Sequence, residues 1–238
     1  MRRHLWLTAF VLMHALPAAC LAQHAAAAAM GETTAHDHRS TVPNGCQPLG
    51  AHAVGDVGCY IVAQKALDSL PRGPLYLHLD TFADSTAARA AGNANGSVIE
   101  AFGRTWLLTI ADEHWRPQGG QHAATLGPFV PLTNGPQLAS YMVATTEANM
   151  DSAAHSHAGP EIFYVVEGAQ CLETPDGVRR THAGEGHVVA GGVPMKLYGA
   201  GNTTRRALVL VLHDALQPVV LRHPDWQPKG LCLAAGQG

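Results

Sequence analysis

Apolar positions along the chain come in two patterns. Between residues 5 and 19 they form one short run behind two arginines; from residue 45 onward they form short β-branched or aromatic runs cut by Gly, Pro, Asn and Asp. The second pattern reads as strands. It predicts strands at 59–63, 75–79, 97–102, 105–110, 138–145, 152–157, 162–166, 188–189, 195–198 and 206–213. Pro175-Asp176-Gly177 is the clearest hairpin turn, because Pro presets φ and Gly tolerates the left-handed conformation that tight turns need. One short Ala-rich helix is predicted at 85–91. Short strands with so little helix between them predict an all-β sandwich or barrel rather than βαβ units. Two β-rich stretches, 45–135 and 138–214, meet at the Pro-rich segment 131–136, and 215–238 read as a C-terminal tail.

The first 44 residues read as lying outside the fold. Residues 1–22 have the form of an export signal: Arg2 and Arg3, an apolar stretch too short for the roughly 20 residues of a membrane span, then small residues at 18–22. Cleavage after Ala22 would leave Gln23 first. In a competing route, Leu16-Pro17-Ala18-Ala19-Cys20 has the shape of a lipoprotein box with Cys20 as the lipidation candidate. Either route places the protein in the periplasm or outside the cell. Residues 23–44 are Ala- and His-rich without an apolar period and read as a linker. His24, His36 and His38 are assigned to that linker, since a floppy chain must lose ordering entropy to chelate an ion.

Beyond Cys20 four cysteines remain, Cys46, Cys59, Cys171 and Cys232. An even count in an exported chain permits disulfides, with three connectivities open. Cys46 and Cys59 close a short Gly-rich loop and are the favoured pair, which would leave Cys171 with Cys232; four buried thiols is the alternative. No C-x-x-C spacing indicates a zinc knuckle or a thioredoxin-type site.

Composition narrows the function classes. Charged residues make up 14% of the 238, against about a quarter in ordinary domains, and the net charge is −3. No basic field exists to gather nucleic acid or acidic lipid, so neither is an expected partner. Histidine is in surplus, at 15 residues, as many as Lys and Arg together. In the first β-rich stretch His78 and Asp80 lie at alternating spacing near Trp106 and Glu113-His114, with no nucleophile elbow, phosphate loop or paired-carboxylate motif. His78 there reads as a hydrogen-bonded structural residue.

The informative stretch is Ser152-Ala153-Ala154-His155-Ser156-His157-Ala158-Gly159-Pro160-Glu161. On a strand, His155 and His157 project from one face. A three-residue bend leads to Glu161, which opens the next strand with Phe163 on its own face. Two imidazoles and one carboxylate converging on one point leave open positions on a divalent ion, and suit Fe(II), Mn(II), Ni(II) or Zn(II). Open positions can bind water, O₂ or a chelating small molecule.

This stretch resembles the first motif of the cupin superfamily: His-x-His, three or four residues, Glu, six residues, Gly. His155, His157, Glu161 and Gly168 fill those places, while Asn149-Met150-Asp151 stand where an upstream Gly is expected. Residues 184–195 resemble the second motif through Gly184, Glu185 and Gly192; Ala190 replaces its Pro, and Met195 stands in the place of its last His ligand. The resemblance covers about 138–214 and implies a jelly-roll-like β-barrel there, with 45–135 as a degenerate half-barrel. It implies a metal held by His155, His157 and Glu161, dioxygenase- or isomerase-type chemistry on a small molecule, and a homodimer. Three outcomes stay open at Met195. Water can complete the shell; copper can accept a His/His/Met set; or the site is metal-free, either a barrel that binds a small ligand such as a sugar or a structural one that Met195 fills as a core residue. His187 and His213 are the reserve imidazoles, and Phe163 is assigned to the cavity wall. Arg179-Arg180 and Arg205-Arg206 flank strands and read as solvated, with the alternative that one of them meets an anionic ligand at the barrel mouth.

Overall fold

Residues 208–212 are apolar without interruption, a pattern suited to a strand covered on both faces, and this strand lies inside the largest sheet of the fold. The computed structural model describes residues 45–148, 150–222 and 225–234. The expected export signal, Cys20, and the linker with His24, His36 and His38 lie outside the described residues.

In chain order the elements are β1 (Gln47–Pro48), β2 (Gly58–Leu67), β3 (Leu75–Phe82), α1 (Ser85–Ala91), β4 (Gly96–Ala101), β5 (Arg104–Ala111), β6 (Gln121–Phe129) and β7 (Gln137–Thr146). Then follow β8 (His155–Ser156), β9 (Glu161–Glu167), β10 (Ala169–Thr174), β11 (Gly177–His182), β12 (Gly186–Val189), β13 (Lys196–Ala200), β14 (Arg205–Asp214), β15 (Leu221–Arg222) and α2 (Leu231–Ala234). The Ala-rich helix forms where predicted because Asp84 caps it: its carboxylate accepts the N–H groups of Thr86 and Ala87 at 2.9 and 2.8 Å. No described helix is long and apolar enough to cross a membrane.

The strands build three layers. The middle sheet runs β1-β2-β7-β14-β9-β12, antiparallel throughout except for β1 on β2. One of its faces, with Tyr141, Val143, Ile162, Tyr164, Leu208 and Leu210, shares an apolar cluster with Leu77, Leu79, Trp106 and Ile110 of the sheet β4-β5-β3-β6. Trp106 is fully buried there, edge-on to Tyr164, with its indole N–H donating to the Ala101 carbonyl at 3.1 Å. The opposite face, with Met142, Ala144, Phe163, Val209 and Val211, meets Leu172 of the sheet β11-β10-β13. These last two sheets form the expected jelly roll, but as two separate walls. Among the described residues strand pairing does not run in a closed ring.

The first β-rich stretch is not confined to its own sheet, since β2 pairs with β7 along nearly its whole length. Two disulfides tie the outer segments: Cys46 joins Cys59 beside β1, and Cys171 on β10 joins Cys232 on α2. Glu173 on β10 adds to the second tie by accepting the backbone N–H groups of Lys229 and Leu231. The strand expected at 152–157 is shorter than predicted. It reduces to β8 and to isolated bridges from Asp151 to Tyr198 and from His155 to Met195.

Candidate metal centre

The chain from β8 to β9 is fixed by backbone contacts before any side chain is considered. His155 exchanges both backbone hydrogen bonds with Met195, at 3.0 and 2.7 Å, and the His157 carbonyl accepts from Gly192 N–H at 2.9 Å. Gly159 then passes so close to β14 that a Cβ there would stand 1.8 Å from the Leu212 carbonyl oxygen. Pro160 closes the bend by accepting the Leu212 N–H at 3.1 Å. Glu161 starts β9 facing the space between the two jelly-roll sheets, as do Phe163 on β9 and Val209 on β14.

His155, His157 and Glu161 each offer one donor atom, and these atoms lie within 4.8 Å of one another. His155 Nδ1–H donates to the Ala153 carbonyl at 2.8 Å, and His157 Nδ1–H donates to the Val219 carbonyl. A carbonyl only accepts, so both Nδ1 atoms carry the proton and both Nε2 lone pairs are left for a ligand. His157 Nε2 stands 3.2 Å from Glu161 Oε2 without an aligned hydrogen bond to it, and neither buried atom has another partner. Two donors bound at about 2.1 Å and at right angles to one ion stand about 3 Å apart, so the pair is spaced as neighbouring ligands are. The residues present therefore fit a divalent ion.

Electrostatics treat the two imidazoles differently: the shift at His155 leaves its lone pair free, while that at His157 favours a proton that a bound ion would have to displace. Burial holds the His155 pKa below its ordinary value, keeping the imidazole neutral. At His157 burial acts downward too, but the Glu161 carboxylate and the Val219 carbonyl outweigh it and lift the pKa. Glu161 is the converse: burial pushes its carboxyl up, while His157, His155 and Arg205 together hold it below the usual range.

A cavity of about 70 Å³ opens in front of these groups. Its wall includes Phe163, Leu197, Val209, Val220, the Cys46–Cys59 disulfide, Arg205 and Arg222. Arg205 is a correction to the sequence reading, which made it a solvated strand-flanking residue: it is fully buried. Its position on β14 opposite Thr146 explains why, since residues 205, 207, 209 and 211 share the face turned into the jelly roll. Arg206 points the other way and pairs with Glu167 at 2.7 Å. Arg179 and Arg180 are exposed, as expected. Period-two alternation from Val209 back along β14 was the signal that could have found Arg205.

The reserve residues do not join the donor set. Met195 is buried in the apolar cluster between the sheets and is absent from the cavity wall. His187 stacks on Phe163 and shares a 2.9 Å hydrogen bond with Thr181; burial, helped by the positive charge of Arg179, pulls its pKa down to about 4. His213 contacts Ser140 Oγ at 3.3 Å and the Asp214 carbonyl at 2.9 Å, and lies outside the wall. In the first β-rich stretch, His78 is buried and bonded on both ring nitrogens, to Thr125 and to the Asp112 carbonyl.

Two facing β-sheets with a His-x-His-x₃-Glu set turned into the space between them are the arrangement that the cupin resemblance implies. No protein-family model matches the chain, and no curated protein does. Solved structures do. A cupin-like protein from Thermotoga maritima is 15% identical over 44% of this chain and 88% of its own, with a TM-score of 0.36. A DMSP lyase from Ruegeria pomeroyi is 20% identical over 43% of this chain and 51% of its own, with a TM-score of 0.34. A conserved protein of unknown function from Streptococcus pyogenes is 20% identical over 31% and 63%, with a TM-score of 0.29. For the last two, the match spans less than two thirds of the other protein's length.

Proposed function

We propose that the protein is a metal-binding cupin that acts on or binds a small molecule at His155, His157 and Glu161. The observation that carries this reading is the donor set itself: two imidazoles oriented through Nδ1 by backbone carbonyls, and a buried carboxylate whose Oε2 lies 3.2 Å from His157 Nε2, the spacing of neighbouring ligands on one ion. Burying three ionisable groups with so few partners costs several kcal/mol, a cost that an ion would offset. When bound, a divalent ion supplies Lewis acidity and open coordination positions, the equipment of oxygenase- and isomerase-type reactions.

The chain's own residues supply the rest. The Ala153 and Val219 carbonyls hold the imidazole rings in place. Phe163, Leu197, Val209 and Val220 give the cavity an apolar lining that limits water around a reacting group. A nitrogen-rich set with one carboxylate suits Fe(II), Mn(II), Ni(II) or Zn(II), and the placement of Met195 in the apolar cluster disfavours reduced copper. The two disulfides support a periplasmic or secreted setting, where thiols oxidise.

Elemental analysis of the purified protein tests the reading. About one equivalent of a transition metal is expected, and it should be lost in a folded His157→Ala variant. A protein that arrives metal-free, takes up none of these ions when titrated and melts at the same temperature with and without chelator would overturn it in favour of a metal-free ligand-binding barrel.

A further inference from the structure

The same cavity holds a buried cation that the metal reading does not use. Arg205 Nε–H donates to Gln170 Oε1 at 2.7 Å, and Nη1–H donates to Thr146 Oγ1 at a long 3.4 Å. Its Nη2 has no partner, and neither does the buried Nε2 of Gln170. The guanidinium lies over the Phe163 ring, 5.9 Å from its centroid, on the same strand face as Glu161. Burial lowers its pKa only to about 10, so it stays charged at neutral pH. A charged group removed from water with an orphaned donor costs several kcal/mol unless something completes it. Glu161 is the anion acting on it, and Glu161 is also the carboxylate of the donor set. Once a divalent ion is bound, its charge with those of Arg205 and Arg222 outweighs the carboxylates of Glu161 and Asp151 on the wall, and the cavity calls for an anionic ligand.

We infer that the ligand is a small carboxylate, with its carboxyl group received by Arg205 Nη2 while its neighbouring oxygen reaches toward His155, His157 and Glu161. This rests on the metal reading above. Size narrows the class: one water needs about 10–15 Å³ of such space, so about 70 Å³ admits roughly five to seven non-hydrogen atoms. That is the size of a short 2-hydroxy or 2-oxo acid. The aliphatic wall of Leu197, Val209 and Val220 suits a short carbon chain. A phosphate fits less well, because it needs several donors and only Arg205 Nη2 and Gln170 Nε2 are uncommitted, the latter off the cavity wall.

Calorimetric titration of the zinc-loaded full chain, with zinc content measured on the same sample, tests this. Lactate, lactamide and inorganic phosphate are the probes. Lactate should bind at least tenfold more tightly than lactamide, and the preference should collapse in Arg205→Met at unchanged zinc content while surviving in part in Arg205→Lys. Should Arg205→Met not fold, Gln170→Leu, which removes the acceptor that orients the guanidinium, should weaken lactate severalfold and leave lactamide unchanged. Lactate and lactamide bound alike by zinc-loaded protein, a preference untouched by these substitutions, or phosphate bound more tightly than lactate would each overturn the inference and leave the metal reading standing. Protein that takes up no metal overturns the metal reading and this inference with it.

Discussion

The bend that carries the chain from His157 to Glu161 can be tested by adding one methyl group. In Gly159→Ala the new Cβ would lie 1.8 Å from the Leu212 carbonyl oxygen, 2.8 Å from its carbon and 2.9 Å from His213 Cα. All three are backbone atoms of β14, which is paired on both sides, so no side chain can swing aside. Carbon and oxygen rarely approach closer than about 3 Å, which means the bend must retreat by more than about 1 Å. A retreat of that size breaks the Leu212 N–H to Pro160 hydrogen bond, now 3.1 Å, and pulls His157 and Glu161 out of register. A lost buried hydrogen bond costs about 1–3 kcal/mol and overpacking a further 1–3, so destabilisation of about 2–6 kcal/mol is expected. Metal affinity should fall by at least the ten- to hundredfold seen when ligand support is lost. Urea unfolding of the metal-free protein and competition against a fluorescent zinc chelator read the two effects. Gly201→Ala is the control: its φ of +75° strains an alanine, but nothing lies within 4 Å, so it should cost about 1–2 kcal/mol and leave metal binding intact. A Gly159→Ala protein within 1 kcal/mol of the parent and equal to it in zinc affinity would refute the account of the bend.

Other outcomes follow from the same contacts. His187 has a folded pKa of about 4 against 6.5 unfolded, so only the unfolded chain gains a proton as pH falls below 6.5. Stability is full above that value and lost on the way down to about pH 4; between pH 7 and 5 the loss from this residue is about 2 kcal/mol, and His187→Gln should remove it in paired urea titrations. Opening Cys171–Cys232, which spans 61 residues, should cost about 4 kcal/mol by chain entropy, measured as the shift of the unfolding midpoint in Cys171→Ser/Cys232→Ser. Trp106→Ala should cost about 3–5 kcal/mol through the cavity left between the four- and six-stranded sheets, again read by denaturant. A chain stopped at residue 214 keeps all three donors but lacks the Val219 carbonyl and β15, so its zinc affinity should fall by about ten- to hundredfold in chelator competition.

Local pattern carried the sequence reading a long way at some places and misled it at others. Helix 85–91 and most long strands were legible because an Ala-rich run, alternation and β-branching act over a few residues. β6 was not legible: Gln121–Phe129 contains His, Gly and Pro, tolerated because β6 is the edge strand of its sheet and pairs β3 with register shifts. The layering was hidden for a different reason. The unbroken apolar run at 208–212 signals burial on both faces, but nothing local says that β3 to β6 supply the second cover. At the centre, the spacing of His155, His157 and Glu161 was readable within seven residues. Arg205 was legible only through the alternation along β14, and Gln170 and the Val219 carbonyl were not legible, because they act through contacts with Arg205 and His157 that lie 35 and 62 residues away in the chain.

The link between His157 and Val219 also sets a timetable for the molecule. The three donors are made early and close together, yet the carbonyl that turns His157 comes 62 residues later, next to the short strand that pairs with His155 and Ser156. An exported chain folds only after its synthesis, so what matters is the order of docking rather than of synthesis. His155 is aimed locally by the Ala153 carbonyl, whereas His157 is aimed only once residues 219–222 have docked beside β8. In the metal reading proposed above, firm ion capture would therefore follow docking of that C-terminal segment.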